Sequence, residues 1–445
     1  MIPNEIIFKK LNYRRCKQKE MYNLFSSINK FFCIKNKKIG FYNPNLNFFT
    51  NFVEDSYTFN FHEKLQYIVE KKQHVGSYGS YYKVVLKNKK QKNFFKTIFI
   101  KELPIFSFDD YGGNIQKKSI FKKINDKNYR INNKIYDINS KLNVEIFVSY
   151  LISKLSELNI SPSFCKLHGC LNTVLYKYTE RIHDGDDINE IKYNCKKHPN
   201  KMKIRKSYHR KFIVIKNMPT YLIAYEKADI DLLEYINTNK ISEEFLKSIS
   251  FQLFSAIVVM YRRFGIKHND LHFSNVMLKK TKLKYLYYKF GENYFKIPTH
   301  GFIVKIIDWG RSIYNFNEFN ITNSIFNNDE DCFGQYVKKK INNIGIKKID
   351  GKYNPWSDII MISYSFLHEL EKFRETKLGL FFKNILKKND DKKIKVDIDS
   401  FNWSIYKQIT NIKYRITPKY IFKNSIYNNF KLVSKEKPKE NIYYI

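Results

Sequence analysis

Between residues 65 and 105 apolar and polar positions alternate, the two-residue period of strands with one covered face. Y-Y-K-V-V-L-K and F-K-T-I-F-I-K are the clearest runs, and the polar N-K-K-Q-K-N between them predicts a turn. The period changes at 142–158, L-N-V-E-I-F-V-S-Y-L-I-S-K-L-S-E-L. There apolar residues recur every three or four positions and predict an amphipathic helix that stops before N-I-S-P. Strand-like runs return at 164–178 and 212–226, and the charged stretch 183–211 between them reads as an exposed insertion. Residues 106–140, polar and rich in Asn and Lys, read as a loop or insertion. The longest apolar helix candidate is 243–264, opened by S-E-E, a cap with an acidic first turn. Y-L-Y-Y-K-F-G-E-N-Y-F-K-I then reads as a hairpin, and F-I-V-K-I-I as an apolar strand. Residues 315–355 are polar and Asn-rich, and 356–373 predict another helix. Strands with one helix, followed mostly by helices, make an α+β chain with a small sheet-based part and a larger helical part.

Composition narrows this only a little. Apolar residues make up 43% of the 445 positions and aromatics 17%, which excludes a disordered chain. The net charge of +38 attracts nucleic acid and other anionic partners. It is spread from K-N-K-K near residue 35 to K-E-K-P-K near 435, and the chain is rich in residues with A/T-rich codons. A solvated surface under coding bias therefore accounts for it, and nucleic acid is a partner the charge allows without requiring. Six cysteines in so long a chain are not a disulfide framework. Cys165, His168, Cys170, Cys195 and His198 lack the paired C-x2-C of a zinc knuckle, and F-C-K-L-H-G-C reads as a strand. M-I-P-N-E-I-I-F-K-K has no apolar signal core, and the apolar stretches near 251–261 and 359–367 are shorter than a membrane span. The expectation is a soluble intracellular protein.

Three segments carry candidate chemistry. His268-Asn269-Asp270-Leu271-His272-Phe273-Ser274-Asn275 offers a carboxylate and, five positions on, a neutral amide oxygen that suits a hard cation. Val304-Lys305-Ile306-Ile307-Asp308-Trp309-Gly310 is an apolar strand that delivers a second carboxylate, with Gly310 allowing a sharp turn. In His74-Val75-Gly76-Ser77-Tyr78-Gly79-Ser80-Tyr81-Tyr82-Lys83-Val84, the glycines let backbone approach a phosphate closely, with Tyr78 at the loop tip.

Together these segments resemble the protein kinase superfamily: the loop H-R-D-L-x-x-x-N, the D-F-G motif with Trp for Phe, and G-x-G-x-x-G-x-V with His74 at its first glycine and Tyr81 at its valine. Phe99-Ile100-Lys101 resembles the end of V-A-I-K, and Ser357-Asp358 the start of the S-D-x-W-S-x-G helix. Tyr221–Lys227 is similar to the strand and hinge beside adenine. T-P-K-Y-I-F-K-N-S-I-Y-N-N-F resembles the closing helix of serine/threonine-protein kinases of large DNA viruses, iridovirus type.

The resemblance implies a two-lobed protein-kinase-like fold, with a small antiparallel-sheet N-lobe bearing one helix and a larger, mainly helical C-lobe. It implies an N-terminal extension over 1–60, an N-lobe over 61–227 with insertions at about 106–140 and 183–211, a C-lobe over 228–435 and a tail over 436–445. Asp270 would be the catalytic base, and Asn275 and Asp308 would hold Mg2+ or a substituting Mn2+. ATP would lie under the loop from His74 to Tyr82. Lys101, with Lys96 in reserve, would orient it, paired to Glu145 or alternatively Glu157. Asp358 would accept hydrogen bonds from the catalytic-loop backbone. The reaction implied is transfer of the ATP γ-phosphoryl group to a serine or threonine of a protein substrate, in host cytoplasm or in a virion. Asn269 replaces the family's arginine, which implies activity without a phosphorylated switch. His272 replaces the lysine of Ser/Thr kinases, and no A-P-E segment follows Asp308. H-x-D-L-H-x-x-N is also similar to small-molecule kinases acting on aminoglycosides or choline. A third reading is a basic pseudokinase scaffold for nucleic acid or virion proteins.

Overall fold

A computed structural model describes residues 65–75, 80–88, 95–104, 137–182, 187–200, 202–207, 210–326, 332, 356–388, 416–432, 438 and 442–445. The chain divides into two units, 1–146 with 167–227 and 147–166 with 228–445. The first holds strands β1 (Leu65–Val75), β2 (Ser80–Asn88) and β3 (Phe95–Pro104), then helix α1 (Lys141–Glu157), whose later turns belong to the second unit. Strand β4 (Leu167–Arg181), helix α2 (Ile188–Lys197) and strands β5 (Met202–Ser207) and β6 (Arg210–Glu226) follow.

The strands of the first unit form one antiparallel sheet in the order β1-β2-β3-β6-β4, with β5 also on β6. β6 is long enough to serve two partners along one edge while β4 lines the other. Its C-terminal end pairs with β3, Thr220 opposite Pro104 through Glu226 opposite Ile98, and its N-terminal end with β5. The stretch 183–211, read as an exposed insertion, holds α2 and β5. Asp187 caps α2 by accepting from the Asn189 and Glu190 amides, Ile191 is buried, and β5 joins the sheet. The high charge that disguised it belongs to the exposed positions of these elements.

α1 ends as its sequence dictates. Asn159 takes a left-handed φ of 54°, and the Ile160 and Asn159 amides return to the carbonyls of Leu155 (2.8 Å) and Ser156 (3.2 Å). That is a Schellman closure, using the side chain that best tolerates the left-handed region after glycine.

The second unit opens with β7 (Ile230–Asp231), α3 (Leu232–Thr238) and α4 (Glu243–Phe264). Short strands follow: β8 (Val276–Lys280), β9 (Tyr285–Phe290), β10 (Asn293–Pro298), β11 (Phe302–Ile306), β12 (Tyr314–Phe316) and β13 (Phe319–Ile321). Helices α5 (Ser357–Glu369), α6 (Lys377–Lys388) and α7 (Pro418–Phe422) and strand β14 (Ile442–Tyr444) complete it. Its sheets are small: β11-β8-β7, β10-β9-β14 and β12-β13. At the end of the segment expected as a tail, β14 lies parallel to β9 with Ile442 opposite Tyr287.

α4 is the axis of this unit. Ser242 accepts from the Phe245 amide at one end, and Gly265 closes the other in a left-handed turn. Phe251 meets the rings of Tyr288, Phe295, Phe422 and Tyr427, and Phe254 meets Phe381 and Phe382. At 22 residues α4 is long and apolar enough to cross a bilayer, contrary to the shorter stretches read from sequence. Protein covers it instead: 83% of its most apolar window is buried. The molecule is a mixed α+β chain with small, mainly antiparallel sheets.

Candidate active site

Two buried arrangements place the candidate residues, one in each unit. In the first, β2 and β3 put Tyr81 opposite Lys101. Lys101 Nζ lies 2.6 Å from Glu145 Oε1, with both side chains at or below 5% exposed. A buried ammonium is tolerated only with such a partner. The alternative Glu157 instead accepts from Ser153 Oγ and Lys154 Nζ. His74 and Val75 end β1, and Ser80, Tyr81 and Tyr82 begin β2, with Val75 opposite Ser80. Gly76, Ser77, Tyr78 and Gly79 lie outside the described residues. Lys96, the reserve cation, is placed by backbone alone, opposite Leu86.

In the second unit, the chain leaves α4 through Gly265 and pairs Lys267 with Ile313 through two hydrogen bonds, of 3.0 and 3.1 Å. The following turn is fixed by Asp358, at the start of α5. Its Oδ2 accepts from the His268 amide at 2.7 Å and its Oδ1 from the Asn269 amide at 2.9 Å. Both hydrogen bonds expected of Asp358 are therefore present. Asn269 takes φ 64°, a strained choice that reverses the chain just before Asp270. Burial pushes the Asp358 carboxyl above its ordinary range, opposed by the charge of His268, the two amides and Lys267. The same burial lowers Lys267 to about 8, with Asp358 pulling the other way.

Asp270, Asn275 and Asp308 gather around this turn. Asn275 Nδ2 donates to the Asp270 carbonyl at 2.8 Å and lies 3.2 Å from His272 Nε2, which turns its amide oxygen the opposite way. β8 and β11 pair directly, Val276 opposite Ile306. The Ile307 amide donates to the Asn275 carbonyl at 3.1 Å, and His268 Nε2 sits 2.8 Å from the Ile307 carbonyl. Asp308 follows at once, with φ 65°. Trp309, 1% exposed, packs its ring against His268 and Phe164 and locks this bend into the core.

His272 is close enough to both Asp270 and Asp308 to feel their charges, which favour its cation. Burial outweighs them and holds its imidazole below the usual histidine range. Its neutral ring accepts at Nε2 from Asn275.

Arg311 was missed in the sequence. Its Nη1 donates to Asp270 Oδ1 at 3.0 Å, with both side chains about 15% exposed. Asn269, at the arginine position of the kinase motif that the loop resembles, donates its side chain to the Arg311 carbonyl at 3.1 Å. Asn323 Nδ2 holds the carbonyls of Gly310 and Ser312, each at 2.9 Å. The only sequence signal was an arginine directly after D-W-G.

One carboxylate and one amide oxygen beside a second carboxylate fit a hard cation that keeps other ligand positions for phosphate and water. Among the described residues, no three His, Cys, Asp or Glu side chains cluster as a metal cage.

No family model matches the chain. It is 30% identical over 149 residues to the serine/threonine-protein kinase haspin of Mus musculus, covering 32% of this chain and 19% of that protein. Haspin of Bos taurus is 31% identical over 153 residues, with the same coverage of each. Uncharacterized protein 098R of Invertebrate iridescent virus 6 is 34% identical over 94 residues, covering 20% of this chain and 15% of its own length. The chain thus spans about a fifth of the length of the haspins it matches. Over this third of its own length, the chain is similar to serine/threonine-protein kinases.

Proposed function

We propose that the chain is a serine/threonine protein kinase of two-lobed form, transferring the γ-phosphoryl group of ATP to a protein hydroxyl. The observation that carries this reading is the turn around Asp270. A carboxylate from α5 shapes the loop, Asn275 braces the Asp270 backbone, and Asp308 is delivered beside them by β11. The haspin likeness supports the serine/threonine class. Asp270 would accept a hydrogen bond from the attacking hydroxyl and orient it. The Asn275 amide oxygen and the Asp308 carboxylate would hold Mg2+, with Mn2+ as a substitute. Lys101, fixed by Glu145, would orient the nucleotide phosphates under the loop from His74 to Tyr82. The bound metal supplies neutralisation of charge on the phosphates.

His272 favours a second reading. A neutral ring where Ser/Thr kinases carry lysine also suits a small-molecule phosphotransferase. Labelled ATP offered with basic and acidic protein substrates, an aminoglycoside and choline separates the two. Phosphoserine or phosphothreonine in acid hydrolysates supports the kinase, whereas label confined to an aminoglycoside or choline supports the alternative. Asp270→Asn is expected to retain ATP binding and lose transfer by about 10²–10⁴-fold. Wild-type turnover in that variant would remove Asp270 from the mechanism.

A further inference from the structure

The sheet β10-β9-β14 has one face in the core and one that is half-buried at its middle and exposed at Tyr285 and Tyr444. Leu286, Tyr288, Phe295 and Ile297 are buried on the inner face, where Phe251 of α4 packs on Tyr288 and Phe295. The strand period puts Tyr285, Tyr287, Lys289, Tyr294, Lys296 and Tyr444 on the other face. The register sets them in rows. Tyr294 lies beside Lys289, which lies beside Tyr444; Lys296 lies beside Tyr287. Tyr285 is 40% and Tyr444 58% exposed. Lys296 Nζ stands 4.2 Å from the Tyr285 ring centroid, and Lys289 Nζ 5.1 Å from that of Tyr294 and 6.0 Å from that of Tyr444. None of the three strands carries a carboxylate, and Glu292 sits in the turn joining β9 to β10.

We propose that this face binds single-stranded nucleic acid, with bases stacked on the tyrosine rings and phosphates held by Lys289 and Lys296. Flat π-faces alternating with cations are what an unpaired strand requires, because every base has a face to stack and every nucleotide a phosphate. A base stacked on tyrosine is held more strongly than the exposed ammonium it displaces, and the freed ammonium can then meet the backbone. A duplex keeps its base faces covered and could use only the lysines. The chain's net charge of +38 draws such a polyanion to the surface. The face lies outside the proposed catalytic residues, so the proposal stands or falls apart from phosphoryl transfer.

The test is fluorescence anisotropy of a labelled single-stranded oligonucleotide of mixed sequence with the full chain, titrated over a range of salt. Tyr285→Ala with Tyr287→Ala is expected to weaken binding about tenfold or more. Lys289→Gln with Lys296→Gln is expected to lower the slope of log affinity against log salt by about 1.4. Lys192→Gln with Lys196→Gln, exposed on α2, removes equal charge and is expected to change affinity little. Circular dichroism melts establish folding, and Tyr285→Ala alone replaces the tyrosine pair if that variant unfolds. Phosphoryl transfer should be unchanged in each variant. Any of four results overturns the proposal: no saturable binding by the wild-type chain, wild-type affinity in the tyrosine variant, equal loss in the α2 variant, or preference for duplex or for anionic phospholipid vesicles.

Discussion

Asp270 shares one carboxylate oxygen with Arg311, and burial holds the neighbouring His272 below the usual histidine range. Cationic charge beside Asp270 therefore comes from Arg311, in the segment after Asp308. The sequence could not show this, because an arginine three positions past an aspartate has no spacing of its own. Asp358, by contrast, was legible: it opens a helix whose first residues match a known pattern, and its two amide contacts are present. His272 also carries a pH dependence. Its folded pKa lies below the unfolded value of about 6.5, so the unfolded chain binds more protons as pH falls through that value. Its contribution to stability is thus complete above about 6.5 and is lost below it, until the folded group protonates too. Urea unfolding at successive pH values from neutral downward should show wild-type stability falling more steeply than that of His272→Gln. Parallel curves would mean that the ring is not shielded.

α4 shows why long helices are readable. Its cap, acidic first turn, apolar body and closing glycine all agree, and the structure bounds it at Glu243–Phe264. Gly265 has φ +58°, and an added Cβ would come within 2.8 Å of Asn315 Nδ2, a side-chain end able to swing aside. Gly265→Ala should therefore cost mainly the left-handed backbone term, about 1–2 kcal/mol. Gly265→Asn should cost less, because Asn tolerates that region. Denaturant midpoints of the two variants give the comparison, and equal losses would point to the Asn315 contact instead. Short elements were harder to read. The stretch after residue 315 reads only as polar and Asn-rich, yet Asn317 at φ 49° makes the turn that pairs Phe316 with Phe319. Helix α2 and strand β5 were hidden in the same way, by charge on their exposed positions.

At the scale of the whole chain, each unit carries one of the two buried arrangements: Lys101 with Glu145 in the first, and Asp270, Asn275 and Asp308 in the second. Alternation and periodicity gave the α+β character, whereas pairing between distant segments left no local trace. Strand β14 is the clearest case. It brings Tyr443 within 5.5 Å of the buried Tyr288 ring, and Arg262 of α4 donates to the Ile445 carbonyl at 2.9 Å. Removing residues 441–445 should lower the thermal midpoint of the second unit and raise light scattering on heating, because the β9 edge loses its cover. An unchanged midpoint and clear solution would show that the strand is dispensable.

The late position of β14 also bears on biosynthesis. β9 and β10 emerge from the ribosome long before their third strand exists, so the hairpin must wait with an open hydrogen-bonding edge while the intervening chain is made. Slow elongation through that interval prolongs the wait, and a chaperone that shields the edge should improve the yield of native chain.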